Sequence, residues 1–373
     1  MNIGVFLTFD YSLKTLVDSG ILKRELKIYQ EIHNEFGVNF TIFSYGDFVD
    51  EQLVPVDSGI SILPMYTFIR RNNNKYFRVL KSILLPFILK REIKDLDILH
   101  QHQLNGVWIP LICKWLYNKP LYMRTGYDTY AFSLRNSNKK MVQIFNKLLT
   151  TLSLKFSEIY TVTSKADLSF LSSNFSFNVN KIVVRPNWVD IKETKKKPII
   201  KNKILSVGRL VEQKNFSLLI KEMKNLSKET VLDIVGIGPL EAELRDLSIQ
   251  EGVTVNFLGL LDHEDLKNLY DNYTFYVSTA SFEGNPKTVL EAMASGCVVF
   301  ASDIESHREL IVDNFNGLII DKNKPNLSEV INKVLSNQNN VSFYSANAIE
   351  SIRKNNSLDR IAKDTYMDYL QLI

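Results

Sequence analysis

Four side chains in the second half of the chain have types and spacing that could do chemistry together: Arg209, Lys214, Glu283 and Glu291. Arg209 follows Gly208 at the end of a β-rich run, Ile204 to Val207, and Lys214 stands five residues further on. A guanidinium offers a planar fork to phosphate oxygens, and an ammonium offers a compact point charge. Gly208 lets backbone approach a ligand closely. The two glutamates are eight residues apart, Glu283 in a polar turn and Glu291 two turns into a helix-like run. A carboxylate is a poor neighbour for phosphate but a good acceptor for sugar hydroxyls. Glu291 could therefore hold a ribose and Glu283 a second sugar. Cations and hydroxyl acceptors in one half of a chain point to a sugar attached to a phosphate.

The elements that must position these groups are legible from pattern. Residues 274 to 303 read as strand, loop, helix, strand. Pro286 suits the first helical turn, where its missing N–H costs nothing, and Gly296 suits the residue past the helix end. Backbone amides of Gly284, Asn285, Lys287, Thr288 and Val289 would lie where a helix dipole favours an anion, with Pro286 removing one donor. Val235-Gly236-Ile237-Gly238-Pro239 is another tight turn after a strand; Glu241 replaces the last glycine of a dinucleotide fingerprint, which argues against NAD. Strands are expected at 204–207, 231–235, 253–258, 274–278, 297–301 and 317–320, with helices between them. The first half repeats this grammar, with strands at 2–9, 38–45, 59–63, 97–100, 120–124, 158–163 and 181–185. Alternation of this kind implies α/β architecture with parallel sheets covered by helices on both faces. The loops after residues 9, 100, 124 and 163 should lie at the carboxyl ends of strands, where such sheets bind ligands.

At 373 residues the chain suits two domains. The expected division is an N-terminal domain over 1–190, a charged linker over 191–203, a second domain over 204–341 and closing helices over 342–373 that can pack back on the first domain. Cys113 and Cys297 lie in apolar runs and read as buried free thiols. With no basic leader before MNIGVFLTFDYS, the cytosol is the expected compartment. The longest apolar block, SILLPFIL, is far short of the ~20 residues that span a bilayer. Residues 1–190 carry 23 lysines and arginines against 16 acids, and residues 191–373 carry 22 against 25. Residues 69–94 hold eight basic residues and one acid, interleaved with bulky apolar ones. That composition fits an anionic membrane surface, so a peripheral position on the inner face of the cell membrane is the expectation. Its aromatics are too few for a nucleic-acid stacking platform.

Several ordered stretches together resemble the retaining glycosyltransferases of family 4. They are Gly208 to Asn215, Val235 to Pro239, Phe257 to Gly259, the Glu283 and Glu291 pair, and the segment VFASDIESHRELIVDNFNGLII. Arg185 to Asp190 is similar to the family's domain junction, with Trp188 in place of a glycine. The resemblance implies the GT-B fold, two doubly wound Rossmann-like domains facing across a cleft. It implies that Arg209 and Lys214 neutralise a diphosphate leaving group, that Glu291 holds the nucleotide ribose and that Glu283 contacts the donor sugar. Backbone from Gly284 to Val289 would cradle sugar and phosphate, with Gly20, Gly208, Gly236 and Gly259 also at the donor. Asn285, Pro286 and Lys287 stand where the family often has Gly or Phe-Gly. His102 matches the family's histidine near the reacting centre, and Ser19, Arg124 and Tyr127 fall on the acceptor side.

The expected activity is transfer of a sugar, with retention, from a nucleoside diphosphate sugar (UDP favoured) to a glycan or lipid-linked glycan in cell-surface polysaccharide synthesis. No cofactor is expected. Arg209 and Lys214 would supply the charge that a metal supplies elsewhere, and no Asp-x-Asp on a strand end or His/Cys spacing suggests a metal. The alternatives are a sugar-nucleotide epimerase of the same fold and, less favoured, a non-catalytic sugar-nucleotide-binding protein. A glycoside hydrolase with paired carboxylates fits less well, because the pair shares its unit with the phosphate-type cations.

Overall fold

The structure is a computed structural model. It describes residues 1–55, 58–126, 128–136, 139–191, 200, 202–321, 326–335 and 338–373. Most of the expected linker thus lies outside the described residues. The chain forms two compact units, Met1–Pro186 with Ile361–Ile373, and Asn187–Arg360.

The first unit contains strands β1 (Asn2–Phe6), β2 (Asn39–Ser44), β3 (Ile60–Pro64), β4 (Ile98–His102), β5 (Leu121–Arg124), β6 (Ile159–Val162) and β7 (Ile182–Val184). They pair in the order β3-β2-β1-β4-β5-β6-β7, all parallel. The second unit contains β8 (Lys203–Val207), β9 (Val231–Val235), β10 (Thr254–Phe257), β11 (Phe275–Ser278), β12 (Val298–Ser302) and β13 (Leu318–Ile320). Their order is β10-β9-β8-β11-β12-β13, again all parallel. The α/β expectation of two doubly wound sheets is met. Strand order reverses between β1 and β4, and between β8 and β11. Crevices at such points are where open parallel sheets take ligands.

The strands read as apolar runs because both faces are covered. The strand period of two divides them: Phe275, Val277, Val298 and Phe300 enter one core layer, and Tyr276, Val299 and Ala301 enter the other. Both cysteines are free and buried.

The expected closing helices divide between the units. Helix Gln338–Asn356 lies in the second, and residues from Ile361 onward, most of helix Leu358–Leu370, belong to the first. That last helix is tied to the N-terminal sheet by Asp368, 1% exposed, which accepts from Arg185 at 2.8 and 2.6 Å and from Tyr122 Oη at 3.2 Å. Tyr369 Oη meets His100 Nδ1 at 2.7 Å. His100 is buried, and burial holds its imidazole neutral, well below the usual histidine range.

Three stretches differ from the sequence expectation. The loop expected after residue 9 contains helix Leu13–Asp18. Its first amides are taken by the buried Asp50 carboxylate, which accepts from Leu13 N at 2.9 Å and Lys14 N at 3.1 Å. Helix Leu327–Leu335 follows β13 where no helix was read, whereas helix Glu305–Leu310, between β12 and β13, is where one was expected. The basic stretch 69–94, for which no helix was read, forms helices Lys75–Ser82, Leu85–Ile88 and Lys90–Lys94. Ile69, Leu85, Leu89 and Ile93 anchor it in the core. Arg78 is anchored as well, donating at 2.7 Å to Asp10, whose other oxygen accepts from Tyr66 Oη at 2.8 Å. Among the described residues, no helix is long and apolar enough to cross a membrane.

Candidate functional site

In the second unit, the turn after β8 and the loop after β11 meet at the switch point. Lys214 Nζ forms a short ion pair with Glu283, and the two side chains are only 18% and 12% exposed. Gly208 makes room for this: a Cβ there would stand 3.1 Å from Lys214 Cδ and Cε. Thr279 Oγ1 donates to the carbonyls of Lys214 and Asn215 at 3.2 and 2.9 Å. Gln213 closes the contact, accepting from Ser281 N and donating to Phe282 O, both at 2.9 Å. The two segments are sewn together on both sides of the ion pair, so the pair is held rather than sampled. Arg209 is exposed on the same turn.

The glycines of the next turn have a packing reason. Gly236 has φ +139°, and a Cβ there would come within 1.9 Å of Gly208 O; one on Gly238 would come within 2.4 Å of Leu210 O. Three backbone bonds, Gly208 N to Val235 O, Leu210 N to Ile237 O and Leu240 N to Leu210 O, join the two turns at 2.9 to 3.2 Å. Gly259, at φ +70°, accepts from Gly236 N at 2.8 Å. The turn carrying Arg209 is thus fixed from behind.

Beyond Glu283, helix Lys287–Ala294 begins with Pro286 as its cap, one position earlier than the sequence reading placed the proline. No side chain caps this terminus. The amides of Lys287, Thr288 and Val289 are those that a helix cannot satisfy itself. Val289's side chain is core, so only its backbone could serve a ligand. Gly284 is buried. Asn285, expected at the donor, is 7% exposed and engaged elsewhere: its Oδ1 accepts from Asn187 N at 2.9 Å and its carbonyl from Asn187 Nδ2 at 2.7 Å. Asn187 O in turn accepts from Asn356 Nδ2 at 2.9 Å. Asn285 therefore fixes the loop's backbone.

Glu291 is 8% exposed, so it is not a solvated helix-face residue. Its carboxylate accepts from Tyr270 Oη at 3.4 Å and lies 3.8 Å from His263 Nδ1. Burial, with Glu291 beside it, holds the Tyr270 hydroxyl protonated and able to donate.

Sequence reasoning missed His307. It is fully buried beneath the loop after β11, its Nδ1 2.8 Å from Ser302 O and its Nε2 3.4 Å from Ser278 Oγ. Donation from Nδ1 to the carbonyl leaves Nε2 to accept from the serine. Burial pushes its pKa down to about 4, with the Lys214 charge adding to the effect. Its neighbours in the quoted segment were legible, but nothing local marks it as internal.

In the first unit, His102 ends β4 with Nδ1 3.3 Å from Tyr29 Oη and Nε2 3.8 Å from Glu25 Oε2. Arg124 ends β5 directly beside it in register. Ser19 and Gly20 terminate helix Leu13–Asp18, Ser19 Oγ donating to Thr15 O at 2.8 Å and Gly20 adopting φ +67°. Ser19, expected on the acceptor side, and Gly20, expected at the donor, thus form a helix end. Tyr127 lies outside the described residues.

Its neighbour Asp128 is 2% exposed and caps the following helix, Oδ1 accepting from Ala131 N at 2.7 Å. Burial pushes its pKa up to about 6 from 3.8, against the opposing pull of that hydrogen bond. The folded state then holds the proton more tightly than the unfolded state. Ionised Asp128 costs stability above pH 6, and the cost disappears as pH falls below about 4. Asp128→Asn should stabilise the first unit by about 2 kcal/mol at pH 8 and by almost nothing at pH 4. Urea unfolding at the two pH values checks this; equal gains at both would rule it out.

Comparison with known proteins converges on one class. Residues 190–352 match the family model described as glycosyl transferases group 1. The chain is 28% identical over 265 residues to a Campylobacter jejuni N-acetylgalactosamine-N,N'-diacetylbacillosaminyl-diphospho-undecaprenol 4-alpha-N-acetylgalactosaminyltransferase, covering 66% of this chain and 70% of the relative. It is 25% identical over 326 residues to an Escherichia coli UDP-Gal:alpha-D-GlcNAc-diphosphoundecaprenol alpha-1,3-galactosyltransferase, covering 82% and 81%. In fold it is similar to HepE of Anabaena, crystallised with UDP and glucose, at a TM-score of 0.77, 16% identity and full coverage of both chains. Sucrose-phosphate synthase from Thermosynechococcus elongatus gives a TM-score of 0.79 at 16% identity, covering 100% of this chain and 99% of that one. With its two parallel doubly wound sheets and a group 1 domain over residues 190–352, the chain is a glycosyltransferase of the GT-B fold.

Proposed function

We propose that the protein transfers a sugar, with retention of anomeric configuration, from a UDP-sugar to a lipid-linked glycan, in the assembly of a cell-surface polysaccharide. The observation that carries this reading is the Lys214–Glu283 pair at the β8/β11 switch point, beside the uncapped start of helix Lys287–Ala294. One cation, one hydroxyl acceptor and a helix N-terminus there suit a sugar diphosphate. Lys214 and Arg209 would take the charge that develops on the departing phosphate, so a metal is not required. Glu283 would accept from donor-sugar hydroxyls and Glu291 from the ribose. His102 is assigned to the acceptor side, near the reacting centre, with Arg124. The two curated relatives named above, both acting on undecaprenol-diphosphate-linked sugars by name, support the acceptor class, and the UDP in HepE supports the base. The basic segment 69–94 would hold the enzyme at the anionic membrane that carries such an acceptor.

The test is incubation with labelled UDP-, GDP- and ADP-sugars, with and without a polyprenyl-diphosphate-linked sugar. Transfer is expected from UDP-sugars alone, unaffected by EDTA, with a product of retained configuration by NMR. Conversion of the nucleotide sugar to its epimer without acceptor would overturn the reading.

A further inference from the structure

His102 ends β4 at the strand-order reversal of the first sheet, on backbone that is pinned from both sides. Its carbonyl accepts from Thr8 Oγ1 at 3.2 Å and from Gln101 Nε2 at 3.3 Å. The next residue, Gln103, turns the chain out of the strand at φ +73°, a conformation that costs energy for a residue with a Cβ. That turn is fixed to the end of β5. Gln103 N donates to Arg124 O at 2.8 Å, and Gln103 Oε1 accepts from Gly126 N at 3.0 Å.

Helix Leu22–Phe36 supplies partners for both ring nitrogens from Glu25 and Tyr29, whose spacing of four puts them on one helix face. Tyr29 is 4% exposed, and its ring packs on Phe40 and His100 at 5.0 and 6.0 Å. Burial raises its phenol well above the usual tyrosine range, so the hydroxyl keeps its proton. That hydroxyl stands 3.3 Å from His102 Nδ1. Donation there leaves the ring hydrogen on Nε2. Nε2 faces Glu25 Oε2 at 3.8 Å, with the two side chains 15% and 18% exposed. Glu25 Oε1 accepts from Arg24 at 3.3 Å, which fixes the other end of the carboxylate.

We propose that Glu25 and His102 together hold one hydroxyl of the acceptor sugar, other than the hydroxyl that attacks. The 3.8 Å between Nε2 and Oε2 is too long for a direct hydrogen bond, and one oxygen can stand about 2.8 Å from both atoms. A hydroxyl there accepts from His102 Nε2 and donates to Glu25 Oε2, so it uses both of its capacities. A sugar without that hydroxyl leaves two enclosed polar groups unpaired, which is how a site rejects a deoxy analogue. Glu25 and His102 thus select the acceptor, and no bond of the sugar is made or broken by them. Tyr29 touches only the imidazole and is a positioning residue. The crevice beside a strand-order reversal is where open parallel sheets take ligands. The inference rests on the transfer reading given above and names a determinant of its acceptor.

The test uses the full chain, a UDP-sugar, the polyprenyl-diphosphate-linked sugar of the transfer assay, and analogues of that sugar each lacking one hydroxyl. Glu25→Gln should lower kcat/KM for the acceptor by roughly thirtyfold, with KM for the UDP-sugar unchanged. One deoxy acceptor should be poorer for the wild type by a similar factor, and on that acceptor Glu25→Gln should lose nothing further. Glu35→Gln, exposed on the same helix, should behave as wild type. Glu25→Asp, which keeps the charge but withdraws it, should show the same acceptor-only loss and serves if the glutamine variant does not fold. Ring ¹⁵N shifts of His102 should report the Nε2–H form in the wild type and a mixture of tautomers in Tyr29→Phe. Losses that add on every deoxy acceptor would overturn the proposal. So would an imidazolium at the assay pH, which would make the pair a plain ion pair, or an Nδ1–H ring in the wild type. Transfer by the wild type that Glu25→Gln and Glu25→Asp leave unchanged would remove this proposal alone. Absence of wild-type transfer would remove the proposed reaction, and this inference with it.

Discussion

Lys214→Met is expected to slow sugar transfer by roughly a thousandfold or more, with a smaller change in KM for the donor. Lys214 is largely enclosed, and its ammonium is held against Glu283 by a frame of backbone contacts on either side. A cation fixed in advance stabilises developing phosphate charge without reorganising, and a single preorganised donor already contributes about a hundred- to a thousandfold. Methionine keeps the length of the side chain and its packing over Gly208. The loss also has a structural component, because Glu283 would be left largely enclosed without its partner, a situation that is destabilising for buried pairs. The two components separate in a cycle. Glu283→Gln in the Lys214→Met background should restore stability to urea, since both charges are then gone, but should leave kcat low. Recovery of kcat in the double variant would show that Lys214 acts only by holding Glu283 and would remove it from the transfer step.

The fold was legible in the sequence because its strands are buried on both faces and so stand out as short apolar runs, Phe275 to Ser278 and Val298 to Ser302 among them. The pairing of Lys214 with Glu283 was legible in its parts: a lysine at a fixed distance from a strand-ending glycine, and a glutamate in a loop before a helix. What could not be read is what depends on contacts distant in sequence. Helix Leu13–Asp18 owes its start partly to Asp50, more than thirty residues away. Asn285 looks like a ligand contact locally and becomes a backbone clamp only when Asn187 arrives across 98 positions. His307 is one histidine in a charged helix until burial removes its proton. Helix Lys140–Phe156 was evident from its period, but period alone cannot say which face turns inward, and this one buries Asn146, Thr150 and Ser153 beside Leu149 and Leu154.

Gly236→Ala should cost the second unit about 3–5 kcal/mol and abolish UDP-sugar turnover. Two independent strains add. The backbone at φ +139° lies where a residue with a Cβ is held at a cost, and the methyl would enter the space of Gly208 O, 1.9 Å away. That oxygen is main chain, so no side chain can rotate aside. Relief requires the β8 turn and the β9 turn to separate, which breaks the bonds from Gly208 N to Val235 O and from Leu210 N to Ile237 O. The same movement displaces Arg209 and carries the segment that leads to Lys214. Glycine at 236 thus supports the turn that carries Arg209 through packing, without its own amide having to touch a ligand. Gly252→Ala is the matched control: φ is +66°, also left-handed, but nothing lies within 4 Å of the added Cβ. It should cost only about 1 kcal/mol and leave turnover intact. Urea unfolding with UDP-sugar turnover on the two variants decides the matter, and equal losses at 236 and 252 would mean that backbone conformation alone, rather than the approach of the two turns, sets the requirement for glycine.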